Sequence, residues 1–159
     1  MAFDGDSFYL YTSLKEEDYT EGVYALLHPS ITWKDYVDVF INGGFASKIS
    51  IHNTVDGKVW AASHNAAFHP VEVKDIIDGF DDPSKLHLQG MGLGGRVFTL
   101  TRVTGPSIMV GRDARTAAGC VIFKANTCVL IALYEEGTHP GSCYSTMVKV
   151  GDYLLDRGF

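Results

Sequence analysis

The sequence is short of cysteine, of long apolar runs and of positive charge, and each shortage removes a class of protein. Three cysteines in 159 residues, Cys120, Cys128 and Cys143, are an odd number without CxxC spacing, which argues against a disulfide framework or a zinc site. His64 and His69 are the nearest pair among the histidines, and no carboxylate or cysteine spacing completes a metal set around them. No apolar stretch approaches the roughly 18 residues of a membrane span. The first residues lack the basic start and apolar block of a signal peptide, so a cytoplasmic protein is expected.

Acids outnumber bases 19 to 13, for a net charge of −6, which has the wrong sign for a phosphate backbone. No run of Arg or Lys is interleaved with aromatics, and nucleic acid is not an expected partner. Frames such as GxSxG and HExxH are missing too. His139 with Cys143, or Glu135 with Glu136, would be an incomplete catalytic set, lacking the orienting third group and oxyanion donors that nucleophilic catalysis needs. Gly90-Met91-Gly92-Leu93-Gly94-Gly95 satisfies GxGxxG, but a dinucleotide loop opens a helix and this one opens the β-like run Arg96 to Val103. The glycines read better as a tight turn between strands.

What is present fits one soluble domain with a sizeable core: 46% of residues are hydrophobic and 20% charged. The charge is uneven. Residues 1–32 hold six acids, Asp4, Asp6, Glu16, Glu17, Asp18 and Glu21, against Lys15 alone, and the rest is nearly neutral. Arg96, Arg102, Arg112, Arg115 and Lys124 are opposed within their own segment only by Asp113, which predicts a locally basic surface.

Residues 1–32 form an acidic, aromatic extension in which Ser13-x-x-Glu16 fits a capping box, predicting a short helix over about 14–28. From the N-cap Thr32, Trp33, Tyr36, Val37, Phe40 and Ile41 repeat at helical spacing until Asn42-Gly43-Gly44. Strands are predicted over 48–53 and 58–63, and a helix from Pro70 to about Phe80. Further strands are expected over about 86–89, 96–103, 107–112, 119–125 and 127–134, the last apolar on both alternating faces. A terminal helix starts near Pro140 with Cys143, Met147, Val150 and Leu154 on one stripe. Tight turns between strands and helices at both ends predict an antiparallel α+β domain over 33–159.

Trp33, Tyr36, Trp60, Tyr153 and Phe159 would meet if both terminal helices lie side by side on the sheet. By pattern alone they either fill the core between helix and sheet or form an exposed shelf of ridges and slots suited to a polyproline II ligand.

From Trp33 to Phe159 the order of elements resembles profilins. The resemblance is carried by Trp33-Lys34-Asp35-Tyr36-Val37-Asp38, Val59-Trp60-Ala61-Ala62, Leu93-Gly94-Gly95, Ala132-Leu133-Tyr134-Glu135-Glu136, Pro140-Gly141-Ser142-Cys143 and Gly151-Asp152-Tyr153-Leu154. It implies an antiparallel sheet with N- and C-terminal helices on one face and a smaller helix on the other. It also implies a cytoskeletal, non-enzymatic, monomeric protein that needs no cofactor, binds monomeric actin and proline-rich proteins such as formins, and promotes actin's nucleotide exchange. The family's poly-proline groove maps to Trp33, Tyr36, Trp60, Tyr153 and Phe159, the last standing in place of a terminal Tyr. Its actin face maps to His87, Leu88, Arg102, Arg112, Thr138, His139, Gly141, Tyr144 and Lys149. Phosphoinositides are a further expected ligand of the overlapping basic residues. Val97 and Val110 stand where animal profilins carry Lys and Arg, which shifts the electrostatic burden to Arg96 and Arg115.

Overall fold

Alternation along the last strand divides the interior in two. In the computed structural model, which describes residues 31–64, 66 and 68–159, every residue of Cys128–Tyr134 (β7) is buried. Successive side chains of a strand point to opposite faces. Cys128, Leu130, Ala132 and Tyr134 therefore join one apolar cluster, and Val129, Ile131 and Leu133 the other.

Seven strands surround this arrangement among the described residues: Lys48–Asn53 (β1), Val59–Ala62 (β2), Met91–Leu93 (β3), Arg96–Thr104 (β4), Ile108–Arg112 (β5), Gly119–Lys124 (β6) and β7. They pair in the order β2-β1-β7-β6-β5-β4-β3, antiparallel throughout. Trp33–Asn42 (α1) and Pro140–Asp156 (α4) cover one face; Pro70–Asp81 (α2) and the short Ser84–Gln89 (α3) cover the other. The profilin-like α+β architecture read from the sequence is the one observed. The expected helix over 14–28 lies outside the described residues.

Two local expectations are corrected. Residues 86–89 form the end of α3, not a strand. The Asp82 carboxylate accepts from the Ser84 backbone N–H at 3.1 Å and from the Ser84 hydroxyl at 2.7 Å, which starts a helical turn. The Leu86-His87-Leu88 alternation imitates a strand, but only Leu86 is buried, and it packs over Gly79 of α2 where a Cβ would collide with it. The GxGxxG segment is more than a turn: Met91–Leu93 pairs with β4 through a hairpin whose turn residues Gly94 and Gly95 have φ of 61° and 82°.

Gly151 sets how closely α4 approaches the sheet, since a Cβ there would come within 2.5 Å of the Phe123 ring. That close seat carries Tyr153, two residues on, against α1.

On the opposite face β1 buries a polar pair. His52 Nδ1 donates to the Gly57 carbonyl at 2.8 Å, and Nε2 accepts from the Ser50 hydroxyl at 2.9 Å, with Phe68 stacked on the ring. Burial lowers the His52 pKa below its ordinary 6.5, partly offset by the Gly57 carbonyl. The unfolded chain binds this proton at a pH where the folded one does not, so stability is full above about pH 6.5 and declines as pH falls through that value toward the folded pKa. Thermal melts between pH 7.5 and 5.5 should show this decline, and His52→Gln should flatten it; an equally steep slope in the variant would remove His52 as the cause.

Candidate functional site

Three separated stretches of chain supply one aromatic cluster. Thr32 opens α1, its backbone N–H donating to the Asp35 carboxylate at 2.6 Å, and this fixes Trp33 and Tyr36 in the first turn. Trp60 comes from β2, the edge strand beside α1. Tyr153 comes from the last turns of α4. Phe159 is held in place by its backbone: its oxygen accepts from the Thr127 N–H at 2.5 Å and the Thr127 hydroxyl at 2.8 Å, while its N–H donates to the Leu154 carbonyl at 2.9 Å.

Trp33 is the hub. Its ring centroid lies 5.0 Å from Trp60, 5.2 Å from Phe159 in an edge-on contact, and 5.5 Å from Tyr36; Tyr36 stacks on Tyr153 at 6.4 Å. Arg157 sits above Tyr153, 6.0 Å from its centroid. All five residues expected to meet do meet, and of the two arrangements that pattern alone left open, a filled core and an exposed shelf, three of them follow the first. Trp33, Tyr36 and Tyr153 are 7%, 0% and 2% exposed, while Trp60 and Phe159 are half-buried. Burial, then the neighbouring Tyr153, pushes the Tyr36 phenol pKa far up, so it stays protonated.

A second site lies at the other end of α4. Arg102 of β4 extends over the Tyr144 ring, 4.7 Å from its centroid. The two line a shallow cleft of about 210 Å³ with Gly141, Pro140, Tyr134, Val110 and Val121. Sequence reasoning placed Arg102, Gly141 and Tyr144 here but missed Pro140, Tyr134 and Val121, which read as a helix start and as core strand. Arg112 is exposed on β5, where it pairs with Thr99 of β4. His139 is the exposed N-cap of α4, next to the half-buried Thr138, and Lys149 is half-buried farther along the helix. His87 and Leu88 stand exposed on α3, outside the cleft lining.

The basic surface is smaller than the residue count suggests. Arg96 is forked between Glu135 Oε1 at 2.6 Å and Asp113 Oδ2 at 3.0 Å, tying the start of β4 to the loops beside β7 and β5. These two carboxylates raise its pKa, and the Arg115 backbone N–H, then Arg96, lower that of Asp113. Arg96 is a structural clamp with its charge satisfied, so it does not replace the cations that Val97 and Val110 omit.

The incomplete catalytic pairs gain nothing from the fold. Cys143 is fully buried, and burial pushes its thiol up to about 12, as it does those of Cys120 and Cys128. That is the opposite of what a thiolate nucleophile requires. Among the described residues, no group of three or more His, Cys, Asp or Glu could hold a metal, and no helix is long and apolar enough to cross a membrane.

A profilin family model matches residues 31–159. The chain belongs to the profilin family. Among solved structures it is similar to profilin II of Acanthamoeba castellanii, with 27% identity and a TM-score of 0.75 over 80% of this chain and 100% of that one. Schizosaccharomyces pombe profilin matches with 27% identity and a TM-score of 0.73 over the same shares. Mouse profilin IIa, solved in complex with a double repeat from the FH1 domain of mDia1, shares the fold with 24% identity and a TM-score of 0.69 over 81% of this chain and 100% of that one. Members of the family are non-enzymatic actin-binding proteins, and poly-proline binding is a general property of the family.

Proposed function

We propose that this chain joins monomeric actin to proline-rich segments in the cytoplasm, acting on actin assembly and nucleotide exchange. The carrying observation is the convergence of Trp33, Tyr36, Trp60, Tyr153 and Phe159 into one cluster at the opposite end of α4 from the Arg102–Tyr144 cleft. Proline rings pack on aromatic faces at little entropic cost, because a polyproline II helix is already extended and lacks internal hydrogen bonds. The mouse relative, solved with a double repeat from an FH1 domain, supports a proline-rich, formin-type ligand for this chain.

Two ligands can be carried together only if their sites are separate. Tyr144 and Tyr153 are about 14 Å apart along α4 at about 1.5 Å per residue. Across the sheet, Trp60 on β2 and Arg102 on β4 stand five strand steps apart, about 24 Å at about 4.8 Å per step. In this reading the actin surface comprises Arg102, Arg112, Thr138, His139, Gly141, Tyr144 and Lys149, with His87 and Leu88 extending it along α3. Phosphoinositide headgroups would compete for Arg102 and Arg112.

The test is retention on a poly-L-proline column together with the slowing of actin assembly by the free protein. Both effects are expected, and poly-proline-bound protein should still bind actin. Retention without any effect on actin would leave an adaptor for proline-rich ligands alone; neither effect would overturn both assignments.

A further inference from the structure

Arg96 holds two loops at once, and each loop borders part of the surface assigned to actin. Its guanidinium donates from Nη1 to Glu135 Oε1 at 2.6 Å and from Nη2 to Asp113 Oδ2 at 3.0 Å. Glu135 directly follows β7 and leads into Thr138 and His139, while Asp113 directly follows Arg112 at the end of β5. Arg96 itself lies outside the cleft lining. We propose that Arg96 is a positioning residue for that surface, setting where Arg112, Thr138 and His139 stand through the two carboxylates and without touching the partner. The inference rests on the actin assignment made above, and it adds what holds those contacts in place.

Both loops are built to transmit the clamp. Beyond Glu135 the chain turns at once: the Thr138 N–H donates to the Glu135 carbonyl at 3.2 Å, and Gly137 takes a φ of 93°, a left-handed position that glycine adopts freely. His139 then caps α4, its carbonyl accepting from the Ser142 N–H at 3.0 Å. The His139 ring lies against Gly141, where a Cβ would come within 2.9 Å of it. A short turn is therefore all that separates the clamped carboxylate from the head of the helix. On the other loop Asp113 is held from three directions. Its Oδ1 accepts from the Arg115 N–H at 2.8 Å, its backbone N–H donates to the Ala118 carbonyl at 3.0 Å, and its Oδ2 accepts from Arg96.

The fork makes this role specific to arginine. A guanidinium presents its N–H donors in one rigid plane and serves two acceptors in a fixed geometry, whereas an ammonium is a point charge on a flexible stem. Without the cation, two carboxylates gathered around it are left to repel each other, so the loops should move apart instead of merely loosening.

Four full-length variants are compared with the parent: Arg96→Gln, Arg96→Lys, Glu135→Gln, and Arg96→Gln combined with Glu135→Gln. Actin affinity should fall about fivefold in Arg96→Gln, and the double variant should be no worse than that single change, because residues acting through one bond are not additive. Losses that multiply would mean that Arg96 and Glu135 each touch actin, which overturns the proposal. Arg96→Lys should fall between parent and Arg96→Gln; a parent-like result beside a full loss in Arg96→Gln would assign the effect to charge alone and overturn the fork. Poly-L-proline binding should stay at the parent value throughout, and if Arg96→Gln loses it by unfolding, the milder Arg96→Lys decides. In the free protein, amide hydrogen exchange over residues 136–142 should quicken at least about fivefold in Arg96→Gln while β7 keeps its protection. Unchanged exchange, or unchanged actin affinity, in Arg96→Gln overturns the proposal. If the parent itself does not bind actin, the actin assignment falls instead, and quickened exchange still marks Arg96 as what holds the head of α4.

Discussion

Trp60→Ala is expected to weaken poly-L-proline binding about thirtyfold while leaving a folded protein. The size follows from position: an aromatic anchor at the centre of an interface costs at least about 2 kcal/mol when truncated, and about 1.4 kcal/mol is a factor of ten. The choice of tryptophan follows from burial. Trp33 is 7% exposed and touches Trp60, Phe159 and Tyr36, so its removal would cost about 3–5 kcal/mol of stability and confuse loss of the site with loss of the fold. Trp60 is half-buried on an edge strand, where truncation disturbs less. Trp33 remains as the fluorescent reporter. An affinity within twofold of the parent would take Trp60 out of the groove.

Arg102→Glu should weaken actin binding at least tenfold and leave poly-L-proline binding unchanged. Arg102 is exposed and held over Tyr144, so its loss forfeits only about 0.5–1 kcal/mol of cation–π attraction within the fold. Toward a partner the consequence is larger, because reversing a charge sets like charges against each other across an interface, at a cost of several kcal/mol. Arg96 cannot compensate, being committed to Glu135 and Asp113. Actin co-sedimentation and a poly-L-proline titration of the same preparation would check both halves. Equal loss of both activities would point to unfolding or to one shared surface, contrary to two separate sites.

The places where sequence and structure part company share a cause. Leu86-His87-Leu88 reads as a strand because alternation is local information, whereas the short helix it forms depends on Gly79 of α2 leaving room for Leu86. The basic stretch counted from Arg96 to Lys124 overstated the available charge because Glu135, the nearest partner of Arg96, lies 39 residues away in sequence. The cleft lining of Pro140, Tyr134 and Val121 was invisible for the same reason: each reads locally as a helix start or an ordinary core position.

Periodicity by itself determined the α+β class, the two-sided burial of β7 and the terminal helices, since those rest on side-chain alternation and turn residues a few positions apart. The residues carrying the family resemblance determined which aromatics to watch. Only the tertiary structure decided that Trp33 touches Tyr36, Trp60 and Phe159 while Tyr36 stacks on Tyr153, and that most of their surface is covered. Contact between distant stretches depends on how closely α4 settles over Phe123 and on where Thr127 anchors the Phe159 backbone. Exposure is a property of everything packed around a ring, and no window of sequence contains it.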